Sequence, residues 1–458
     1  MAIVSYPYLP SQHDHWLANL PPPKHSIGTS KHYWNYHITS LGLTQNFLTG
    51  SYYHDRYLFS NSTQRILGIS STYSPSLVPS RAPDQQILIN TATAFLQGLY
   101  PPSADAETIS NGSSIRNPLG GYQYVSVHAD EASDEDMVWL KGTDQCPAYT
   151  AAAAEYSKSA EFAELLESTR RFYGGFKEAL KGVWDYTNPA TNLTYANAYD
   201  IFDLLNVASI HNASTANLTT PTQLAQLRTL ADGHEFALTY NSSNPARSIG
   251  GKTFIAMVLS QLNNTVATQG QQGKFSLMAG SYNTFQAFFA LANLTAAKED
   301  FFGLPGYAST MAFELFTEKN TSTFPSNVAD LNVRFLFRNG TEQGPLMAYP
   351  LFGGQSLSMS WADFKAEMSK RSISTVEEWC KECKSTVDFC AKFQAQPHTN
   401  AVVEKKGVSN VVAGVAGAMV MLGIVLVLGV VFLLVRRAVV GKKRRVTVAR
   451  DKEGSLGS

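Results

Sequence analysis

One continuous apolar stretch near the carboxyl terminus constrains this chain more than any other feature. Residues 411 to 435 are 25 consecutive residues drawn only from Val, Ala, Gly, Met, Leu, Ile and Phe. At about 1.5 Å of rise per residue, a helix of this length crosses the roughly 30 Å hydrocarbon core of a bilayer. A helix in a soluble domain is rarely apolar on every side over such a length. The sequence therefore predicts a transmembrane helix at 408–435 and a tail at 436–458.

The residues on either side of this stretch predict its orientation. The first ten residues after it include six basic ones, namely Arg436, Arg437, Lys442, Lys443, Arg444 and Arg445. Positive charge of this kind holds the tail in the cytoplasm. All ten Asn-x-Ser/Thr glycosylation acceptors precede the stretch, at Asn61, Asn111, Asn192, Asn212, Asn217, Asn241, Asn263, Asn293, Asn320 and Asn339. Both observations predict a single-pass type I membrane glycoprotein with an extracellular or lumenal ectodomain.

The net charge and the first 35 residues each lead to a further prediction. The formal net charge is zero with 16% charged residues, which argues against a nucleic-acid partner. Residues 1–35, rich in Pro, His and Tyr, are expected to be irregular, and they contain no basic and apolar secretory signal. Either export takes an unusual route or the true translation start lies upstream of Met1, and the second is favoured. The histidines of this region lack metal-ligand spacing, so no metal site or cofactor is predicted.

Four cysteines, Cys146, Cys380, Cys383 and Cys390, all precede the apolar stretch. In an oxidising compartment they can form two disulfides with three connectivities. Cys146 bonded into the 380–390 cluster would join the middle of the chain to its closing segment. A redox or zinc pair at Cys380-x-x-Cys383 is the less favoured alternative, because no second Cys/His pair lies nearby.

Hydrophobic periodicity indicates an α/β ectodomain over residues 36–400, with a helical insertion around 145–245. The stretch "TSLGLTQNFLTGSYYHDRYL", residues 39–58, predicts a helix, with Leu43, Phe47, Leu48 and Tyr52 at three- and four-residue steps. A second helix ends at Gly98 and Pro101-Pro102, and "YQYVSV" reads as a strand. The segment "KFSLMAGSYNTFQAFFALANL" predicts a buried strand followed by a helix that begins at Phe285. Ligands of open α/β sheets collect at such strand ends.

Five segments in series carry motifs of a known family. They are "ITSLGLTQNFLTGSYYHDRYL", "SRAPDQQILINTATAFLQGLYPP", "VSVHADEASDEDMVWL…CPAY", "KFSLMAGSYNTF" and "GLPGYASTMAFELF". This order, over about residues 36–390, resembles the histidine acid phosphatases, a branch of the histidine phosphatase superfamily. The resemblance implies a phosphoglycerate mutase-like mixed sheet flanked by helices, with a helical cap insertion.

The resemblance also implies where phosphate chemistry would take place. In the family the strand of the fourth segment ends in His-Asp, where the His binds phosphate and the Asp protonates the leaving group. Here those positions are Ser281 and Tyr282, a candidate phosphate ligand and a degenerate acid position. Arg81 matches a phosphate-binding Arg. The nucleophile motif Arg-His-Gly-x-Arg is absent, and its nearest counterpart is "KHSIGT" with His25, preceded by "LPPP" instead of an apolar strand.

Hydrolysis of phosphomonoesters in this family needs a nucleophilic imidazole, several guanidinium groups on the phosphoryl oxygens and a carboxylic acid. Of these groups only Arg81 is retained. The first prediction is a phosphomonoester hydrolase by resemblance, with weak or absent activity and a phosphomonoester or other anionic ligand. The alternative is a non-catalytic pseudophosphatase that serves as a surface binding or structural glycoprotein. The sequence predicts no oligomeric state.

Overall fold

The computed structural model describes residues 2–5 and 38–393, apart from 182, 183, 185, 189–190, 212–216 and 342–343. The predicted transmembrane helix, the basic tail and His25 lie outside these residues. Within them, no helix combines the length and the apolar character that crossing a bilayer requires.

Twelve helices and ten strands make up the regular structure of the described residues. In chain order they are β1 (Ala2–Ser5), α1 (Ser40–Tyr57), β2 (Ser80–Pro83), α2 (Gln86–Leu99), β3 (Ala106–Thr108), β4 (Ser114–Arg116), β5 (His128–Asp130), α3 (Val138–Lys141), α4 (Pro147–Ala154), α5 (Ala160–Ser168), α6 (Arg170–Gly174), α7 (Ala198–His211), α8 (Pro221–Thr239), α9 (Ile249–Ala267), β6 (Ser276–Ala279), α10 (Tyr282–Leu291), β7 (Thr310–Phe316), β8 (Asn332–Arg338), β9 (Met347–Tyr349), β10 (Met359–Ser360), α11 (Trp361–Ser369) and α12 (Val376–Cys383). Short 3₁₀ turns and a tight turn at Pro118–Gly121 complete it.

A mixed sheet in the order β10-β8-β7-β1-β6-β2-β5 forms the centre, with β9 paired to β8. The four strands β1, β6, β2 and β5 run parallel, so their carboxyl ends meet at one edge. The strands β7, β8 and β10 are antiparallel to their neighbours. The mixed α/β class predicted from the sequence is confirmed.

Alternating side chains of the sheet build two cores. Leu277 and Ala279 of β6 join a cluster with Tyr53 and Phe95 from α1 and α2. Met278, between them in the strand, joins the opposite cluster with residues of α9, α10 and α11. This alternation follows from the two-residue period of a strand and places a helical layer on each face.

The helices between β5 and β6 form a third hydrophobic cluster around α5, α7 and α8. Its members include Phe162, Ile201 and Leu227, all buried, together with the partly buried Tyr282 of α10. The insertion therefore lies against the helix that starts at the carboxyl end of β6. This contact brings side chains of α7 and α8 to the edge where the family resemblance expects the site.

The prediction that residues 1–35 are irregular is wrong for four residues. Ala2–Ser5 form β1, which pairs in parallel with β6 and antiparallel with β7 at the middle of the sheet. This short segment pairs along both of its edges, so its backbone N–H and C=O groups find partners in the two neighbouring strands. The apolar strand expected before the first motif is therefore present, but it lies well before "LPPP" in the sequence.

Two other local predictions are wrong. "YQYVSV" is not a strand, because β5 extends only over His128–Asp130, where β2 offers a partner. In α1 the predicted apolar face is largely exposed, with Leu43 at 36%, Phe47 at 40% and Leu48 at 50% exposure. The buried face of α1 instead contains Gly42, Asn46, Thr49, Gly50, Tyr53 and Tyr57.

Candidate functional site

The carboxyl ends of the parallel strands bring together Arg81 of β2, the acidic segment after β5 and the residues after β6. Arg81 lies opposite His128 of β5 on one side and Met278 of β6 on the other. Ser281 and Tyr282 follow Ala279, the last residue of β6. Two of the predicted site segments are therefore on neighbouring strands at the same edge.

Arg81 is bound to two carboxylates. Its Nε lies 3.2 Å from both carboxylate oxygens of Asp130, and its Nη2 lies 2.5 Å from Asp130 Oδ1. The same Nη2 lies 2.9 Å from Asp136 Oδ2. The Asp130 side chain is fully buried, whereas that of Asp136 is 44% exposed. The guanidinium group predicted to bind phosphate thus already has two negative partners.

The pKa shifts at this cluster have opposite directions. Burial raises the pKa of the Asp130 carboxyl, although the hydrogen bonds and charge of Arg81 oppose this change. Burial also acts to raise the pKa of Asp136, but Arg81 outweighs it and the pKa is lowered. For Arg81, burial disfavours the charge, while Asp130 and Asp136 raise the pKa. The arginine stays protonated beside them.

His128 completes a group that has donors of the kind used by metal ions. Its Nε2 lies 3.6 Å from Asp130 Oδ1, and one donor atom each of His128, Asp130 and Asp136 lie within 4.8 Å of one another. Imidazole and carboxylate groups suit several divalent ions. The Arg81 guanidinium, however, already hydrogen-bonds both carboxylates, so these residues form an ion-pair cluster. The acidic run "ADEASDED" was the sequence signal for these partners.

Ser281 and Tyr282 open α10. The helix begins at Tyr282, three residues earlier than predicted, and Ser281 takes its N-cap position without a capping hydrogen bond from its side chain. The Tyr282 hydroxyl donates to Glu235 Oε2 of α8 at 2.7 Å, and its ring lies 4.8 Å from that of Tyr199 in α7. The residue at the family's acid position therefore joins the core to the helical insertion.

Two further ionisable groups of the insertion lie at this contact, and no motif or spacing in the sequence indicated them. Glu235 Oε1 lies 2.8 Å from Nδ1 of its neighbour His234, and both residues are buried. Burial, with a contribution from the charge of Glu235, raises the pKa of Asp200 to about 6, while His234 opposes the shift. Carboxylates of α7 and α8 therefore face the edge from the insertion side.

Both predicted disulfides are present. Cys146 is bonded to Cys383, and Cys380 is bonded to Cys390. The bond expected between Cys146 and the closing segment is therefore confirmed, and the Cys380-x-x-Cys383 redox or zinc pair is excluded, because each cysteine is bonded elsewhere. The first bond joins the start of α4 to the end of α12.

The glycosylation acceptors differ in accessibility. Five of them are exposed, namely Asn61, Asn111, Asn217, Asn293 and Asn320. Asn192, Asn241, Asn263 and Asn339 are partly buried, and Asn212 lies outside the described residues. Asn339 Oδ1 accepts hydrogen bonds from the Gly306 amide at 2.7 Å and the Ser309 hydroxyl at 3.2 Å. That amide group is therefore engaged inside the fold, unlike those of the exposed acceptors.

Comparison with known proteins agrees with this architecture. The family model for the histidine phosphatase superfamily, branch 2, matches residues 10–338. Among solved structures, a phytase from Klebsiella sp. ASR1 superposes with a TM-score of 0.51 at 12% identity, covering 81% of this chain and 94% of its own. A phytase from Citrobacter braakii has a TM-score of 0.48 at 12% identity, covering 83% of this chain and 98% of its own.

A third similar structure is the multiple inositol polyphosphate phosphatase of Bifidobacterium longum in complex with inositol hexasulfate, with a TM-score of 0.46 at 11% identity. It covers 74% of this chain and 82% of its own. At 12% identity, the one of these three matches with a TM-score above 0.5 bears on the fold alone. The family-model match extends over most of the chain, and the strand order places its motifs on neighbouring strands. The chain belongs to the histidine phosphatase superfamily, branch 2.

Proposed function

We propose that this protein is a membrane-anchored glycoprotein whose histidine phosphatase ectodomain has weak or absent phosphomonoesterase activity and serves as a surface binding or structural module. The observation that carries the proposal is the position of the Arg81 guanidinium between the carboxylates of Asp130 and Asp136. Fold alone does not fix function, so the argument rests on the groups at the strand ends.

The first step concerns charge. A phosphoryl group that approached Arg81 would also approach two carboxylates, so the local charge it meets is net negative. Two like charges 4 Å apart repel by about 4 kcal/mol at an effective dielectric constant near 20. Family enzymes need the reverse, namely guanidinium groups whose donors are available to the phosphoryl oxygens. This arrangement therefore disfavours the binding of a phosphate dianion at Arg81.

The second step concerns the proton donor. Tyr282 takes the position of the family's carboxylic acid, and a phenol with an ordinary pKa near 10 is a poor acid at acidic pH. Its hydroxyl hydrogen is also used in the bond to Glu235. Ser281, at the phosphate-binding His position, carries no charge. Departure of the alkoxide would therefore lack assistance from this strand end.

The third step concerns the nucleophile. In the family, the catalytic His follows directly after the first strand of the sheet. Here β1 is followed in the sequence by Tyr6, Pro7 and Tyr8, and His25 lies twenty positions after Ser5. The residue type required to form a phosphohistidine is thus missing from the expected place, which supports a non-catalytic role.

The activity proposal is tested with the full-length chain in detergent micelles, by measuring phosphate release from para-nitrophenyl phosphate at acidic pH. We expect the chain and its Arg81→Ala variant to show the same background rate. Arg170→Ala is the matched control, because Arg170 pairs with Glu167 on the exposed surface. Turnover that Arg81→Ala abolishes and Arg170→Ala preserves would establish a working phosphatase. A phosphohistidine detected in the unsubstituted chain after incubation with substrate would do the same.

The membrane topology rests on the apolar stretch, the basic tail and the one-sided set of acceptors, five of them on the exposed surface. We expect alkaline carbonate to leave the full-length chain in the membrane pellet, because about 25 apolar residues insert almost irreversibly. Glycosidase treatment should lower its mass, with glycopeptides at Asn111 and none at Asn339. Release by carbonate, or a mass that glycosidase leaves unchanged, would contradict the proposed topology.

A further inference from the structure

A cavity of about 720 Å³ opens at the edge of the sheet opposite the candidate site. Three segments surround it: residues 63–68 after α1, residues 269–274 before β6, and residues 314–325 at the end of β7. The register places this edge at the amino ends of the parallel strands, since Ala2 of β1 pairs with Ser276 and with Phe313. Neither the strand end at Ser281-Tyr282 nor the acidic cluster around Arg81 contributes to it.

A fixed polar network forms the floor of the cavity. Glu314 of β7, with a side chain that is 7% exposed, accepts hydrogen bonds from Arg56 at 3.1 Å and from Arg334 and the Tyr57 hydroxyl. Arg334 also donates to the Gln64 side chain, and its guanidinium lies 5.0 Å from the centre of the Phe316 ring. Two guanidinium groups therefore share one carboxylate, which leaves a positive charge at the floor.

The walls add further positive charge. Arg65 donates to the main-chain carbonyls of Leu58 and Ile69 at 3.3 and 3.2 Å, and Lys274 Nζ donates to the Leu67 carbonyl at 2.7 Å. Lys319 forms an ion pair with Asp330 at 2.7 Å. Among the described residues, four cations therefore line the cavity, namely Arg65, Lys274, Lys319 and Arg334, against one carboxylate, Glu314. The chain as a whole has a formal net charge of zero, so this local excess is a property of the site.

Uncharged hydrogen-bonding groups form another part of the cavity surface. Hydroxyl and amide side chains of Thr63, Gln269, Gln271, Thr321, Ser322 and Thr323 line the cavity. The rings of Phe316 and Phe324 supply apolar faces beside them. A ligand that satisfies this surface carries many hydroxyl groups and at least one anionic group, because concave sites recognise ligands through convergent polar groups set in apolar walls.

We propose that this cavity binds an acidic saccharide, with Arg65 and Lys274 as the residues that contact its anionic group. The guanidinium of Arg65 and the ammonium of Lys274 form charge-assisted hydrogen bonds with carboxylate or sulfate oxygens. Burial lowers the pKa of Lys274, and an anion beside its ammonium would offset that loss of hydration. The site differs from the phosphate site of the family in edge, residues and charge, so it does not depend on the proposal for Arg81.

The test measures binding to the full-length chain in detergent micelles by isothermal titration calorimetry. Asn320, a glycosylation acceptor in the cavity wall, is changed to Gln in every sample so that no attached glycan competes. Three tetrasaccharides serve as probes: one sulfated, one built of uronic acids, and one neutral. We expect at least one acidic probe to bind about tenfold or more tightly than the neutral probe, with an affinity that falls as salt rises.

Variants locate the site. Arg65→Ala and Lys274→Gln are each expected to weaken binding of the acidic probe about tenfold, the usual effect of losing one charge-assisted hydrogen bond. Arg81→Ala, at the opposite edge, is expected to leave it unchanged, and thermal unfolding checks that each variant is folded. A sulfated or a uronate preference supports the proposal and identifies the anionic group. Equal binding of the neutral probe, no binding, or loss of binding in Arg81→Ala instead of the cavity variants would overturn it.

Discussion

The double variant Cys146→Ala/Cys383→Ala is expected to lose about 5 kcal/mol of unfolding free energy, the largest effect of any change considered for this protein. The disulfide closes a loop with a sequence separation of 237 residues, and the entropy that a cross-link removes from the unfolded chain grows with loop length. Both half-cystines lie in a buried cluster with Trp379 and Ile249, so the loss also leaves a cavity. Thermal unfolding of the full-length chain should show a fall in Tm of roughly 10 °C.

The second disulfide provides the matched control. Cys380 and Cys390 are separated by only 10 residues, so the same model predicts a loss of about 3 kcal/mol for Cys380→Ala/Cys390→Ala. Both double variants remove one bond from the same cluster and leave no free thiol. An equal loss in the two variants would show that the long bond does not act through the unfolded chain.

Gly98→Ala is expected to destabilise the protein by at least about 3 kcal/mol, because the added methyl group would collide with backbone atoms. A Cβ at Gly98 would lie 2.0 Å from the Phe47 carbonyl oxygen of α1, and a Cβ at Gly50 would lie 1.9 Å from the Phe95 carbonyl oxygen of α2. The two glycines therefore let these helices approach backbone to backbone. Since the α1–α2 pair covers one face of the sheet, separating the helices also disturbs the core around Tyr53 and Phe95.

Gly174→Ala is the control for this prediction. Gly174 ends α6, and a Cβ there would meet nothing within 4 Å. The substitution should leave stability unchanged or raise it by up to about 1 kcal/mol, because alanine loses less backbone freedom on folding. Denaturant unfolding of both variants measures the difference, and a similar loss in each would show that the close helix contact is not the cause.

In helix α1, the hydrophobic periodicity of the sequence and the structure disagree about which face is buried. Its length was predictable, but periodicity assigned the wrong face, because Leu43, Phe47 and Leu48 follow the helical spacing as well as any buried residues do. The buried face was selected by the distance between α1 and α2, which favours small residues such as Gly50. Gly98, similarly, is a contact residue inside α2 and not the end of the helix.

For the candidate site, the sequence predicted the positions of the motifs but not the contacts between them. The strand end at Ser281-Tyr282, the position of Arg81 and the disulfide from Cys146 into the closing segment were available from motifs and spacing. The hydrogen bonds of Arg81 to Asp130 and Asp136 were not, because they join residues 49 and 55 positions apart across the register of β2 with β5. The role of Glu235 could not be predicted from the sequence either, because only the packing of α8 against α10 brings it to Tyr282.

Local chemistry was sufficient for the class of fold, the order of the family motifs and the loss of the His-Asp pair, because each depends on residue types that lie close together along the chain. The charge of each edge of the sheet was set instead by the assembled sheet and its helices. Ion pairs and cavities depend on strand register and side-chain direction, and residues far apart in the sequence meet only once the sheet has formed. The same chain thereby gives a neutralised arginine at one edge and, around Glu314, an excess of positive charge at the other.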